Sequence, residues 1–257
     1  VGAVINILKM DFHRFKSNKM IYILLLIFFA FQIFGIFMLG KYEQPGESRV
    51  MLISSMNESQ FIQVMMSQIP LWPLIYIAVF VVYFYMSEHN SGFYKNYISM
   101  KRARMYTVIS KILIAGLFTL LTFIVMIVAD MIGRSIFFNH AMIGDGGYFA
   151  KLLIGQFLLH WAFSIVILCI SIISKSLITS IVVGFVLSLN VFGMIVTVLE
   201  SIIDDVHLSS FLIVNTILSA RDFDNINDLV HVASVSIVFI VIFSFIAIRY
   251  KIKEDLK

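Results

Sequence analysis

Charge is scarce in this chain. Asp, Glu, Lys and Arg make up 13% of its 257 residues, about half the share with which a soluble domain covers its surface. Cysteine is scarcer still, and one residue, Cys169, excludes an internal disulfide and a cysteine zinc site. Lying in an apolar run, it reads as a buried structural thiol. The six histidines, at 13, 89, 140, 160, 207 and 231, never recur at the spacing that aims two imidazoles from one helix face at a metal. A phosphate loop is lacking too: the nearest fragment, Gly35 to Tyr42 (GIFMLGKY), has a tyrosine where the magnesium-binding hydroxyl belongs. Its Lys41 reads as a side chain snorkelling from a helix end. Gly133-Arg134-Ser135-Ile136 with a distant His231 is no activated-serine constellation. No cleavable leader is expected, because the first apolar run is long and no small-residue cleavage site follows it.

What the chain has in quantity is hydrocarbon. Hydrophobic residues are 60% of the total, gathered into runs near the 18 to 20 residues that cross a bilayer. These imply an all-α integral membrane protein, one transmembrane domain over 1–257, with six spans at about 20–40, 70–86, 112–129, 152–173, 177–199 and 229–248. The second run is short, and Pro70 and Pro73 at its start suggest a helix beginning near Ser59 and kinked. Residues 201–220 are apolar but interrupted by Asp204, Asp205, His207 and Asn215, which leaves less than a bilayer's thickness. An outer re-entrant or interfacial segment is expected there. Ahead of the first span, residues 4–17 set Ile5, Leu8, Phe12 and Phe15 against Lys9, His13 and Lys16. That is the pattern of an amphipathic helix lying flat at the membrane surface.

Basic residues give the orientation, since Lys and Arg concentrate in cytoplasmic segments. With the N-terminus inside, the inner side holds Lys9, Arg14, Lys16, Lys19, Lys95, Lys101, Arg102, Arg104, Lys111, Lys175, Arg249, Lys251, Lys253 and Lys257. The outer side holds only Lys41, Arg49, Arg134, Lys151 and Arg221. Both termini are therefore expected in the cytoplasm of a cell-membrane protein, with Tyr22, Tyr83, Tyr85, Tyr106, Tyr148 and Tyr250 as interfacial anchors. The net charge of +4 and pI near 9.1 do not suggest nucleic acid, because the basic residues flank apolar runs instead of forming a stripe.

Polar residues inside spans are costly, so each is a candidate for a pathway or an interhelical contact. Gln32, Gln156, His160 and Asn190 are those candidates. Asp130 and Arg134, one turn apart at an outer helix end, read as a surface pair. Lys111 reads as a side chain reaching the inner interface.

The richest segment lies between the second and third expected spans, Ser87 to Arg104, SEHNSGFYKNYISMKRAR. Phe93, Tyr97 and Met100 fall at helical spacing, Gly92 can end the preceding helix, and Lys101, Arg102 and Arg104 close the segment. Such a helix can set an aromatic face into a groove on a partner. Here the chain resembles the ABC-2-type transporter permeases, on Glu88, Gly92, Lys95, the short stretch Asn96-Tyr97-Ile98-Ser99, and Arg102 or Arg104 before Ser110-Lys111. The resemblance extends to the N-terminal elbow, the six spans and the inner turn Ser174-Lys175-Ser176. It implies a coupling helix within 88–104 that docks on a separate cytosolic ATPase, with Glu88, Tyr94, Tyr97, Met100, Lys101, Arg102, Arg104 and Lys175 as contacts. It implies no cofactor on this chain, ATP and magnesium on the partner, and a second permease subunit completing the path. In general character the chain is similar to permeases exporting toxin or antimicrobial peptides, such as phenol-soluble modulins, so an amphipathic peptide is the expected cargo. Rival readings are an ion-coupled carrier, which needs buried polar residues such as Asn190 or His160, an immunity protein that sequesters peptides without transport, and an intramembrane enzyme.

Overall fold

The computed structural model describes residues 2–42, 55–92, 101–138, 144–203, 208–220 and 222–254, and the regular elements among them are all helical. In chain order these are α1 (Gly2–Ser17), α2 (Lys19–Tyr42), α3 (Glu58–Met66), α4 (Trp72–Asn90), α5 (Lys101–Phe137), α6 (Gly146–Ser174), α7 (Leu177–Ser188), α8 (Val191–Glu200), α9 (Ile213–Ser219) and α10 (Ile226–Lys253).

Local chemistry sets several boundaries. Asn57 and Gln60 form a reciprocal capping box at the start of α3, which satisfies two orphan amides at once. Pro73 in the first turn of α4 costs nothing there, because that turn has no amide partner to lose. Asp145, Ser176 and Asn225 cap α6, α7 and α10 through their side chains. Lys175 ends α6 in the left-handed conformation.

Four helices, α2, α5, α6 and α10, are long and apolar enough to cross a membrane, and α7 with α8 makes a fifth if that pair is one span. Helix α5 has 37 residues, about 55 Å at 1.5 Å per residue, well beyond a ~30 Å hydrocarbon layer. It therefore projects past the expected span at 112–129 in both directions and carries Arg102 and Arg104 on a continuous helix. The expected second span corresponds to α4, which is not among the membrane-length helices. Its Trp72, Pro73, Tyr76, Tyr83, Tyr85 and polar Glu88-His89-Asn90 end dilute its apolar run. It is instead the inner helix of the bundle, buried around most of its surface by α2, α5, α6 and α7. The kinked helix expected from Ser59 is two separate helices, α3 and α4, because the chain between them turns through Ser67 to Leu71.

The expected straight span over 177–199 is also broken. Asn190 adopts φ 55°, and α7 and α8 meet at 51°. Within 201–220, α9 is seven residues long and packs on α6 and α10. The α2 and α10 windows bury only 17% of their residues against 67% for α6, so both are peripheral and present Leu26, Phe34, Val241 and Phe245 outward.

Helix α1 packs on α5 by a different stripe from the one its apolar residues suggested. Asp11 and Phe15 are buried, whereas Phe12 is exposed. An acid turns inward because ion partners wait there.

Candidate functional site

Two ionic clusters occupy the same end of the bundle, on either side of α4. The first joins three elements. The Lys111 ammonium from α5 lies 2.6 and 2.7 Å from the two Asp11 oxygens of α1 and 2.6 Å from Glu88 Oε2 of α4. Arg14 of α1 pairs with the same Glu88 oxygen and reaches Asp11 at 3.2 Å. Its other nitrogen donates to the Phe84 carbonyl and the Ser87 hydroxyl. Both cations also approach the Phe84 ring, at 4.7 and 5.5 Å. Two acids and two bases balance, which makes burial tolerable: an unmatched charge in such a place costs several kcal/mol.

The second cluster ties the end of α10 to two connections. Glu254 meets Lys175 at 2.7 Å and Lys251 at 2.6 Å, while Arg104 donates to the carbonyls of Ile252 and Glu254 at 3.1 and 2.6 Å. Lys251 in turn contacts the Tyr85 hydroxyl of α4. Burial pushes the Glu254 carboxyl up, but hydrogen bonds from Lys175 and Lys251, and their charges, pull it below the usual carboxylate range.

These clusters bracket residues 93–100, which leave α4 just after Glu88 and re-enter α5 ten residues before Lys111. Of the expected partner contacts, Tyr94, Tyr97 and Met100 lie outside the described residues, as does the side chain of Lys101. Arg102 is exposed. Glu88 is buried, its carboxylate turned inward to Arg14 and Lys111. Arg104 and Lys175 are both engaged with the α10 end, and Lys175 remains 38% exposed. Among the described members of that set, Arg102 is the exposed one with no described ion pair to α1 or α10. Lys111, expected to snorkel, is 2% exposed and points into the protein, and Tyr85, expected as an anchor, is buried.

The family model for ABC-2 family transporter proteins matches residues 7–193, from the elbow through the bend at α8. The chain belongs to that family. It is therefore a multi-pass membrane component of an ABC transporter, and membership implies a cytosolic ABC ATPase as partner. No curated protein matched the chain. The clusters of this ABC-2 protein fall inside the matched region at Asp11, Arg14, Glu88 and Lys111, while Lys251 and Glu254 lie beyond it.

The remaining polar candidates occupy separate helix contacts. Gln32 donates to Asp130 at 2.9 Å between α2 and α5. His160 Nδ1 lies 2.7 Å from the Gln156 carbonyl in its own helix, with its ring edge-on to Phe123. The far atoms Gln156 Oε1 and His160 Nε2 have no hydrogen-bond partner. Asn190 donates to Asn215 of α9 at 2.6 Å, at the α7–α8 bend.

The expected surface pair Asp130–Arg134 is not one. Both are fully buried, and they turn to different partners: Arg134 donates to Glu58 at 2.8 Å and to the Met56 carbonyl. Helix α3 covers Arg134, which also lies 4.9 Å from the Phe61 ring, whereas Asp130 faces Gln32 of α2. Burial lifts Glu58 above the usual carboxylate range against the opposing pull of Arg134. His231 contacts the Ser210 carbonyl just ahead of α9. No group of three or more His, Cys, Asp or Glu placed to hold a metal occurs among the described residues.

Proposed function

We propose that this permease, with a second permease subunit, forms the path through which a cytosolic ATPase drives export of amphipathic peptides. In this reading the chain crosses the membrane six times, with α4 and the bent α7–α8 pair completing the count, and both termini face the cytoplasm. The peptide cargo rests on the sequence's general character and on the apolar, Phe- and Met-rich helices. The partner binds ATP and magnesium; this chain supplies the docking segment and the path.

The observation that carries the reading is the Asp11–Lys111–Glu88–Arg14 cluster. It links the elbow helix to both flanks of the segment 93–100, so a push on that segment moves α1, α4 and α5 together. Interhelical charge networks of this kind have discrete arrangements and serve as two-state elements in domain motion. Arg102, exposed at the head of α5, is the described residue that meets the ATPase, alongside Tyr94, Tyr97 and Met100.

Inside-out vesicles carrying the permease and its ATPase test this directly. ATP should drive uptake of a fluorescent amphipathic peptide, and Arg102→Glu should reduce both uptake and ATPase retention. Uptake that runs equally without ATP and collapses with the proton gradient would assign the chain to ion-coupled carriers instead.

A further inference from the structure

Between α2, α4 and the α3–α4 connection lies a cleft of about 520 Å³, within the range of roughly 300–1,000 Å³ that holds a drug-sized molecule. Its walls are mostly apolar. Phe31 and Trp72 stand 4.4 Å apart between ring centroids, and Met38, Met65, Met66 and Met126 supply thioethers that adapt to an irregular chain.

One wall is different. Gln32 lines the cleft and donates to Asp130 Oδ1. Asp130 lies one turn beyond Met126 on the same face of α5, fully buried, with Oδ2 lacking any partner. Glu58 is close enough to act on Asp130 electrostatically, and its Oε1 is also unpartnered. Arg134 gives its ion pair to Glu58. Behind the apolar cleft, two buried carboxyl oxygens, Asp130 Oδ2 and Glu58 Oε1, therefore have no donor. Buried polar groups rarely stay unsatisfied without a functional reason.

We infer that this cleft binds a lipophilic amine, its hydrocarbon on the methionines and rings and its ammonium donating to Asp130 beside Gln32. The chemistry matches on both counts: an alkyl body fills an apolar cleft, and an ammonium supplies charge-assisted N–H donors to an oxygen that has none. Binding here requires neither ATP nor an ATPase, so it stands or falls separately from the exporter reading.

Trp72 reports on the site, since the other tryptophan, Trp161, sits elsewhere, donating to the Ile112 carbonyl of α5. The protein is placed in zwitterionic lipid nanodiscs and titrated with terminally brominated undecylamine or undecanol, with Trp72→Phe protein giving the background. Quenching of Trp72 by the amine should saturate at a concentration about tenfold or more below that of the alcohol, as a charge-assisted hydrogen bond predicts. Asp130→Asn should remove that advantage. Gly35 lines the cleft, and a Cβ there meets nothing within 4 Å, so Gly35→Leu should fill the site and abolish saturable quenching by both probes. Equal affinity for amine and alcohol, an amine advantage that survives Asp130→Asn, or saturable quenching that survives Gly35→Leu would each overturn the inference. If Asp130→Asn does not fold, the comparison of the two probes in the natural protein and the Gly35→Leu variant still decide it.

Discussion

At the scale of single residues, one end of the bundle is held by charges that are buried but matched. Replacing Lys111 with methionine keeps the stem and removes the charge, leaving Asp11 and Glu88 short of a partner. Breaking a buried pair in this way costs about 3–5 kcal/mol, so thermal unfolding of the detergent-solubilised Lys111→Met protein should begin at a distinctly lower temperature, with partial recovery on adding Asp11→Asn. Glu254 gives a pH signature. Its carboxyl titrates below the usual value of 4.5, so its contribution is fully present above the unfolded pKa and is lost as pH falls through the lower folded one. Glu254→Gln should therefore lower the melting temperature at neutral pH and have little effect well below pH 4.5. The resemblance singled out Glu88, Arg104 and Lys175 as partner contacts; the ion pairs and carbonyl contacts they make within the chain were not legible, because one-dimensional spacing does not say which way a charged side chain turns. Asp11, the one acid in an otherwise basic elbow, was the available signal that the helix has an inward polar partner.

At the scale of elements, composition located the apolar core of the long helices, since each needs a long uninterrupted run, but not their ends: α5 runs from Lys101 to Phe137, well past the apolar stretch 112–129. What they missed are features set by tertiary contact. The bend at Asn190 depends on Asn215, 25 positions away, and on Gly193, where any Cβ would overlap the side-chain oxygens of both asparagines. Gly193→Ala should consequently destabilise the α7–α8 pair by about 1–3 kcal/mol through overpacking and increase hydrogen exchange in α8 and α9 relative to α6. Asp130 and Arg134 likewise looked like a helical surface pair, but Gln32 of α2 meets the first and Glu58 of α3 the second. The central position of α4 was also invisible in the sequence: its tyrosines and polar end weaken the membrane signal, while it packs on α2, α5, α6 and α7 and touches both ionic clusters, through Glu88 and the Tyr85 hydroxyl.

At the scale of the whole molecule, the protein has a tightly packed centre, one charge-locked end and broad apolar flanks on α2, α8 and α10. Phe192, Ile195, Val198 and Leu199 along α8 are exposed, as surfaces that meet lipid or a second permease would be. Family membership establishes a membrane component of an ABC transporter; our proposal is that force enters through residues 93–100 and spreads through the Asp11–Lys111–Glu88–Arg14 cluster. The most direct measurement is gentle solubilisation of the tagged chain from its native membrane, followed by quantification of co-purifying proteins and of vanadate-sensitive ATP hydrolysis. The account predicts a stoichiometric ABC ATPase with that activity, lost from the Arg102→Glu protein. A homogeneous preparation of this chain alone, without ATPase or ATP hydrolysis across several mild detergents, would contradict it.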